Sequence, residues 1–493
     1  MLRKRPVLSS MLYVPLTMLS DIERTKQELT FKSFGMELVD GEMRDTVTDI
    51  KTYDIHKKGY LGLPRAYGLA KFPKMKYIDG TIRATIADDI PFKTANSIQP
   101  RTEQQREFMS GLFMTCTSGN VVDYIANART GSGKTVSDLW LSAQMGRPTL
   151  IIVHTNTLKN QWYGSSEDAN GILNFFGEAW TKKYVGFVQQ DKCDYRGKIF
   201  VIAMGQSLIS RDYGEDFYNY FGKITIDEVH KFTAPMMSKI LGKFPAAIRG
   251  GYTATNKKGA LRGVCDVHLG VPKVSSQQAM MKPIVYVVPY REVTKLYGGN
   301  MYAQITAVSR LRSRNQFLAR LIYKYGYTRG RNILVLSERV DQLQTLAAFM
   351  EILGVPENEI GLYVGHKTEN GKKIKVKDAE YARIKKDARI IFATYGIFDT
   401  GADIARLDMG VEATPRSDVT QAIGRIIREF AGKPTPEWYT MRDDIGYKKY
   451  ENSDFYTQTV PYPIFEKRFK ARVASYRKQN ANIKNFSGNC YED

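Results

Sequence analysis

The run Ala128-Arg-Thr-Gly131-Ser-Gly133-Lys134-Thr135 has the residue types and spacing needed to hold a nucleotide phosphate. Gly131 and Gly133 let backbone N–H groups turn inward around phosphate oxygens, and a helix starting after the loop adds the positive end of its dipole. Thr130, Gly131, Ser132 and Gly133 would form the cradle, Lys134 would bridge the β- and γ-phosphates, and the Thr135 hydroxyl would take one position on Mg²⁺. Ala128 stands where the strict pattern has glycine. Further along, the apolar run Ile224-Thr-Ile226 leads straight into Asp227-Glu228-Val229-His230. Two acidic residues closing a strand can be simple solvated polarity. Beside a phosphate loop they acquire roles: Asp227 holds the water shell of Mg²⁺, and Glu228 orients and deprotonates an attacking water. A third cluster, Gln421-Ala-Ile-Gly424-Arg425-Ile-Ile-Arg428, sets two arginines three apart. On a helix they share a face and can project together across a cleft to stabilise charge on a transferred phosphoryl group. The plain alternative is an amphipathic helix with solvated arginines, but Gly424 inside it would cost about 1 kcal/mol.

These residues need elements to carry them. Residues 1–96 are mixed in pattern. Ser20 and Glu23 look like a capping box opening a short helix, Thr46 to Tyr53 is β-rich, and Gly62-Leu-Pro-Arg65 is turn-like. This is read as a small α+β N-terminal domain that assists DNA binding. From Pro100, short apolar strands alternate with helical stretches: Val122–Ala126, Thr149–Val153, Ile199–Ala203, Ile224–Ile226 and Arg249–Thr253. That alternation means a parallel sheet covered on both faces, here over 97–280. A second series over 281–450 has Ile333–Leu336, Ile360–Val364, Ile390–Ala393 and Met409–Ala413 as its strands. Residues 451–493 form a basic extension in which Phe465, Phe469 and Tyr476 have helical spacing. Such a stripe packs on a domain more often than it stacks on bases.

Lys and Arg outnumber Asp and Glu by 72 to 51, a net charge of +21, which favours a polyanionic partner. A basic surface can also be merely solubilising, so charge alone leaves the partner open. The 493 residues, 43% apolar, are enough for several full hydrophobic cores. Cys116, Cys193, Cys265 and Cys490 lack metal-ligand spacing and read as reduced thiols in a cytoplasm. The apolar stretch Met11–Leu19 is interrupted by Pro15 and followed by no small-residue cleavage site, so it is not read as a leader. No run approaches the roughly 20 apolar residues that span a bilayer.

Together the three clusters resemble the signature of the superfamily 2 helicases and translocases, with the intervening motifs in that family's order over residues 97–450. Arg101 and Gln104 resemble its adenine-recognition motif. The stretch Leu150–Gln161, containing Thr155 and Leu158, is similar to the first strand-tracking motif, and Ile202–Leu208 to the next. Thr253-Ala-Thr255 is similar to the element coupling hydrolysis to domain movement. Val335-Leu-Ser337-Glu-Arg339 resembles the fourth motif, and Ala393-Thr394-Tyr-Gly396 through Thr400-Gly401-Ala-Asp403 the fifth. The resemblance implies two tandem RecA-like domains that bind ATP and Mg²⁺. It implies catalytic roles for Lys134, Asp227, Glu228, Gln421, Arg425 and Arg428, nucleotide contacts from Gly401 and Asp403, and nucleic-acid contacts from Thr155, Ser337 and Thr394.

Asp227-Glu-Val-His230 departs from the Asp-Glu-Ala-Asp pattern of the largest RNA helicase family, and Val153-His-Thr-Asn-Thr-Leu158 replaces that family's Pro-Thr-Arg-Glu-Leu. Ala413–Gln421 and Thr394–Phe398 look more like DNA-acting members, above all the phage recombination helicases of the UvsW type and relatives in T5-like phages. That implies branch migration and fork regression on branched or forked DNA, with RNA–DNA hybrids as a further candidate, by a monomer in the host cytoplasm. A protein-displacing remodeller, a duplex translocase or the motor of a larger complex is the alternative. The lysine-dense stretch from Lys367 to Arg389, broken by Asn370-Gly371, suggests a projecting loop or hairpin. It could touch DNA, but charge runs are usually solvated, and that is the expectation here.

Overall fold

The computed structural model describes residues 4–39, 42–56, 58–87, 98–128, 132–165, 171–253, 259–276, 281–294, 301–369, 372–401, 404–428, 432–450 and 457–491. The chain forms two compact units, Met1–Gln278 and Ala279–Asp493.

The first unit opens with a small sheet. β1 (Val7–Leu8) and β2 (Met11–Pro15) precede a long separate hairpin of β3 (Thr30–Val39) and β4 (Glu42–Lys51). β5 (Asp54–His56), β6 (Tyr60–Pro64) and β7 (Ile78–Asp79) complete the sheet in the order β5-β6-β2-β1-β7. Two local expectations change. The first helix, Ile22–Glu28, is capped by Asp21, whose carboxylate accepts from the Arg24 N–H at 2.9 Å. Aspartate caps at least as well as serine, and Glu23 pairs instead with Lys26 at 2.7 Å. The apolar stretch from Met11 becomes β2 and a 3₁₀ turn. Gly62 to Pro64 lie inside β6, and Arg65 begins the helix Arg65–Lys71.

Next come β8 (Val122–Asn127), β9 (Thr149–Val153), β10 (Val185–Gln189), β11 (Lys192–Cys193), β12 (Phe200–Met204), β13 (Lys223–Ile226), β14 (Ile248–Thr253) and β15 (Pro272–Ser275). Their order is β11-β10-β12-β9-β13-β14-β8-β15. Every pairing is parallel except β10 with β11. β9 and β13 are buried along their whole length, as strands of a two-faced sheet must be, Lys223 and Thr225 of β13 being buried with their polar groups bonded to Asp138. The small N-terminal sheet is bolted to this one by buried charge. Arg65, from the helix after β6, donates to Asp123 on β8 at 2.9 and 2.5 Å and to the Ala246 carbonyl at 2.7 Å. Arg249 donates to Asp123 at 2.7 Å and to the Ser10 carbonyl at 2.8 Å. Burial pushes the Asp123 carboxyl up, but Arg249 and Arg65 outweigh it and hold it down at about 2. The N-terminal sheet is therefore fixed to the large parallel sheet through ions that burial would forbid singly.

The second unit contains β16 (Ile284–Thr294), β17 (Ile333–Ser337), β18 (Ile360–Tyr363), β19 (His366–Glu369), β20 (Lys372–Lys375), β21 (Ile390–Thr394), β22 (Met409–Glu412), β23 (Glu437–Tyr450), β24 (Thr457–Pro461) and β25 (Asn482–Asn485). The main sheet runs β18-β21-β17-β22-β23-β16-β25, all parallel, with β24 antiparallel to β23 and β19–β20 a separate hairpin. Both large sheets are covered by helices, giving two α/β units of mainly parallel strands and a small N-terminal sheet. In the C-terminal helix Pro463–Lys478, Phe465 and Tyr476 are buried, as a packing stripe should be, and so are Arg468 and Arg472. Among the described residues no helix is long and apolar enough to cross a membrane.

Candidate active site

The buried strand β8 delivers the chain to the loop, and the Ala128 N–H is held by the Thr253 carbonyl at 2.8 Å. Thr130 and Gly131 lie outside the described residues. Gly133 caps the following helix, Lys134–Met145, with φ of 78°, a left-handed conformation that favours glycine. A Cβ at Gly133 would also meet the Gln105 amide at 2.2 Å. The helix is anchored from below by Asp138, fully buried, which takes Lys223 Nζ at 2.7 Å, Thr225 Oγ1 at 2.9 Å and Tyr252 OH at 2.8 Å. That network fixes the base on which Lys134 and Thr135 stand.

Asp227 extends the ladder of β13, its N–H bonding to the Ile152 carbonyl at 3.0 Å. Lys134 Nζ lies 3.7 Å from Asp227 Oδ1 and is in direct contact with Glu228. Glu228 is left-handed, φ 49° and ψ 50°, a conformation that costs a non-glycine residue about 1–2 kcal/mol. The kink lifts its carboxylate off the strand line and toward Lys134. His230 Nδ1 stands 3.1 Å from both Thr253 Oγ1 and Glu228 Oε2, tying the acidic cluster to the end of β14. Asp227 Oδ1 and Ser132 Oγ are buried and make no hydrogen bond. A buried carboxylate oxygen and a hydroxyl left open beside a phosphate loop fit a Mg²⁺-bound nucleotide.

Sequence reasoning missed several neighbours. Trp162, buried in the helix Asn156–Tyr163, donates its indole N–H to Asp227 Oδ2 at 2.9 Å and so fixes which oxygen stays open. The signal was an unexplained tryptophan one residue after Gln161. His154 is pushed below its ordinary range by burial, and its ring packs edge-on to Phe232 at 5.8 Å. Gln104, the expected adenine contact, is half-buried, whereas its neighbour Gln105 is buried against Gly133 and accepts from the Arg101 N–H at 2.8 Å. Trp162→Phe keeps the ring but removes the donor, leaving a buried carboxylate oxygen unpaired. The expected result is a rise of about tenfold in the Mg²⁺ concentration that half-saturates binding of a fluorescent ATP analogue. An unchanged Mg²⁺ dependence would remove this role.

The nucleic-acid candidates fall into different settings. Thr155 caps the helix that carries Trp162, accepting from the Leu158 N–H at 3.2 Å. Ser337 ends β17 fully buried, donating to Gln342 at 2.8 Å and accepting from the Arg339 N–H at 2.9 Å. Its hydroxyl shapes the turn that follows β17. Thr394, opposite Ser337 at the end of β21, is half-buried. Gly401 closes the helix Tyr395–Gly401, and Asp403 and Thr255 lie outside the described residues.

The arginine cluster lies in the second unit. Gln421 and Arg425 are on the helix Thr420–Ile426, with Gln421 half-buried and Arg425 at 7% exposure. Arg428 lies past the helix end, so the expected shared helical face holds only in part: the Ile427 carbonyl is taken by the Met281 N–H at 3.0 Å, and the chain turns away. The loop leading to this helix is gripped by the C-terminal helix. Arg468 donates to the Pro415 carbonyl, and Arg472 to the Arg416 carbonyl at 3.0 Å and the Met441 carbonyl at 2.7 Å. Arg472 is itself paired with buried Glu412 at 2.9 Å, which also accepts from Tyr476 and Trp438. The basic tail is thus part of the scaffold that places the arginines.

Residues 97–258 match the family model described as type III restriction enzyme, res subunit. A protein named as an ATP-dependent RNA helicase, L396, of Acanthamoeba polyphaga mimivirus is 25% identical over 374 residues, covering 72% of this chain and 64% of that protein's length. Among solved structures, T4 UvsW is 17% identical with TM-score 0.36 over 95% of each chain. A fragment of an HsdR subunit of a type I restriction enzyme from Vibrio vulnificus YJ016 is 13% identical with TM-score 0.48, over 86% of this chain and 96% of that one. The type ISP restriction-modification enzyme LlaBIII bound to DNA is 12% identical with TM-score 0.49, over 79% and 31%. Over these stretches the chain is similar to a restriction-enzyme subunit and to an ATP-dependent helicase, and its phosphate loop, acidic strand end and arginine cluster are carried on mainly parallel α/β sheets.

Proposed function

We propose that this protein hydrolyses ATP to move on DNA and to remodel branched DNA by branch migration and fork regression. The observation that carries the reading is the cluster of Lys134, Asp227 and Glu228 at the phosphate loop. In this arrangement Lys134 occupies Glu228. Incoming phosphates compete for the ammonium, and once Lys134 turns to them the Glu228 carboxylate is released to take a proton from the attacking water. Thr135 and Asp227 would hold Mg²⁺, which when bound would supply charge neutralisation at the phosphates. Arg425 and Arg428 stabilise the charge that develops on the transferred group, and Gln421 acts beside them. Arg101 and Gln104 meet the base, while Gly401 and Asp403 complete the nucleotide's surroundings. Thr155 and Thr394 hold backbone phosphates, so binding is tolerant of sequence and sensitive to salt.

The departure from the Asp-Glu-Ala-Asp pattern and the net charge of +21 support DNA as the track. A second reading, translocation on duplex without strand separation, draws on the match of residues 97–258 to a restriction-enzyme subunit. The name of the mimivirus relative makes RNA the third substrate to try. ATPase and strand-product assays on a four-way junction, forked DNA, RNA–DNA hybrid, duplex RNA and blunt duplex separate these. Conversion of the junction is expected. ATP turnover on blunt duplex with no strand product favours translocation, and stimulation by RNA alone overturns the DNA reading.

A further inference from the structure

The lysine-rich stretch after the fourth motif folds as a rooted hairpin. All four residues of β20, Lys372, Lys373, Ile374 and Lys375, are exposed, and Lys377 follows exposed. The register pairs His366 with Lys375, Lys367 with Ile374 and Thr368 with Lys373. Two four-residue strands are marginal alone, and crowded like charges weaken them further. A merely solvated charge run gains by spreading out, yet this one is held. Gln344, from the helix Val340–Ile352, donates to the Thr368 carbonyl at 2.9 Å and accepts from the Thr368 N–H at 3.2 Å. The Val376 N–H bonds to the Gly365 carbonyl at 3.2 Å, and the Val376 side chain is buried in the core of the unit. Tyr381 OH ties the Val364 carbonyl at 2.7 Å.

We propose that the β19–β20 hairpin is a nucleic-acid phosphate contact additional to the strand-tracking threonines, with Lys372, Lys373 and Lys375 as its cations. The inference rests on the reading of the chain as a nucleic-acid motor and adds a site to it. Strand alternation places Lys373 and Lys375 on one face, about 6.8 Å apart along the strand. That spacing lets the two ammonium groups meet neighbouring phosphates of one DNA strand. The fixed root keeps this spacing, which a floppy loop would lose. The hairpin adds affinity without sequence preference, as phosphate contacts do.

The test uses the full chain with Lys372, Lys373 and Lys375 all changed to Gln, and fluorescence anisotropy on labelled forked DNA at about 50 to 200 mM salt. Each lost contact flattens the dependence of log affinity on log salt by roughly 0.9, about 2.7 for three. The affinity lost across that salt range should therefore shrink by about 40-fold relative to wild type. Changing all three to Arg should keep the wild-type slope, and the same flattening on duplex RNA of equal length supports the phosphate chemistry equally. An unchanged thermal midpoint confirms folding, since all three side chains are exposed. A Gln variant with wild-type slope and affinity overturns the hairpin site while leaving the motor reading intact. A wild-type protein that binds no nucleic acid instead sinks the motor reading.

Discussion

Glu228→Gln should lower nucleic-acid-stimulated ATP turnover by about 10² to 10⁴, the usual worth of a positioned general base. The change is nearly isosteric, so the left-handed turn at φ 49° and the contact with His230 keep their shape. What is lost is the negative charge that can accept a proton and that holds Lys134 in the resting arrangement. ATP affinity should therefore be kept or increased, because the phosphates no longer compete with a carboxylate for the ammonium. Lys134→Ala separates the two effects: it also abolishes turnover but weakens nucleotide binding, having removed the phosphate's own partner. Phosphate-release kinetics and binding of a fluorescent ATP analogue read the pair, and anisotropy on forked DNA should find both variants near wild type. Robust nucleic-acid-stimulated ATPase in both would end the assignment of this site.

Those residues were legible because their chemistry dictates their neighbourhood. A phosphate loop needs glycines, a lysine and a helix start in sequence, and Asp227-Glu228 needs a buried strand immediately before it. Strands such as β9 and β21 were legible for a similar reason: both faces are covered, so the run is apolar without interruption. β23 was not. It reads Glu-Trp-Tyr-Thr-Met-Arg-Asp-Asp-Ile, and the charges suggest a loop. In the structure Asp443 is buried with Arg314, which reaches it from the helix Arg312–Tyr325 at 2.8 and 3.0 Å. The two partners are 129 residues apart, so nothing local announces the pair.

The same blindness hid most of what holds the site. Arg65, Asp123 and Arg249 bond across separations of 58 and 126 residues, and Arg472 finds Glu412 from the tail. A lone arginine in a sequence is rightly expected at the surface, since burying it unpaired is prohibitive. Its partner becomes visible only when the chain is folded. The Phe465 and Tyr476 stripe pointed correctly to packing, but the arginines interleaved with it carry no local sign of burial. They are instead among the most buried charges of the second unit, clamped on the loop before the arginine helix. Ser337 shows a different gap: its motif position was recognisable, yet its hydrogen bonds to Gln342 and the Arg339 N–H within the turn were not.

Arg425→Ala should lower kcat for ATP hydrolysis by about 10³ to 10⁵, the range for an arginine that meets a transferring phosphoryl group. ATP affinity should change little, because the charge it answers develops only at the transition state. Arg425→Lys should not rescue, since a point charge cannot replace the planar fork. Arg428→Ala should act in the same direction but independently of helix geometry, as it stands beyond the helix end. The bland alternative, that Arg425 merely supports the fold, predicts a lowered thermal midpoint with kcat of the folded fraction intact. Gly424 discriminates further. A methyl group there would meet no atom within 4 Å, so packing does not require glycine, and alanine should stabilise the helix by about 1 kcal/mol. If the surface beside Arg425 is approached during turnover, a methyl group at this position would obstruct the approach. Gly424→Ala is therefore expected to raise the thermal midpoint while slowing turnover. A variant both more stable and fully active would show that nothing approaches the helix at that point, and would weaken the case for its arginines as partners of the phosphate.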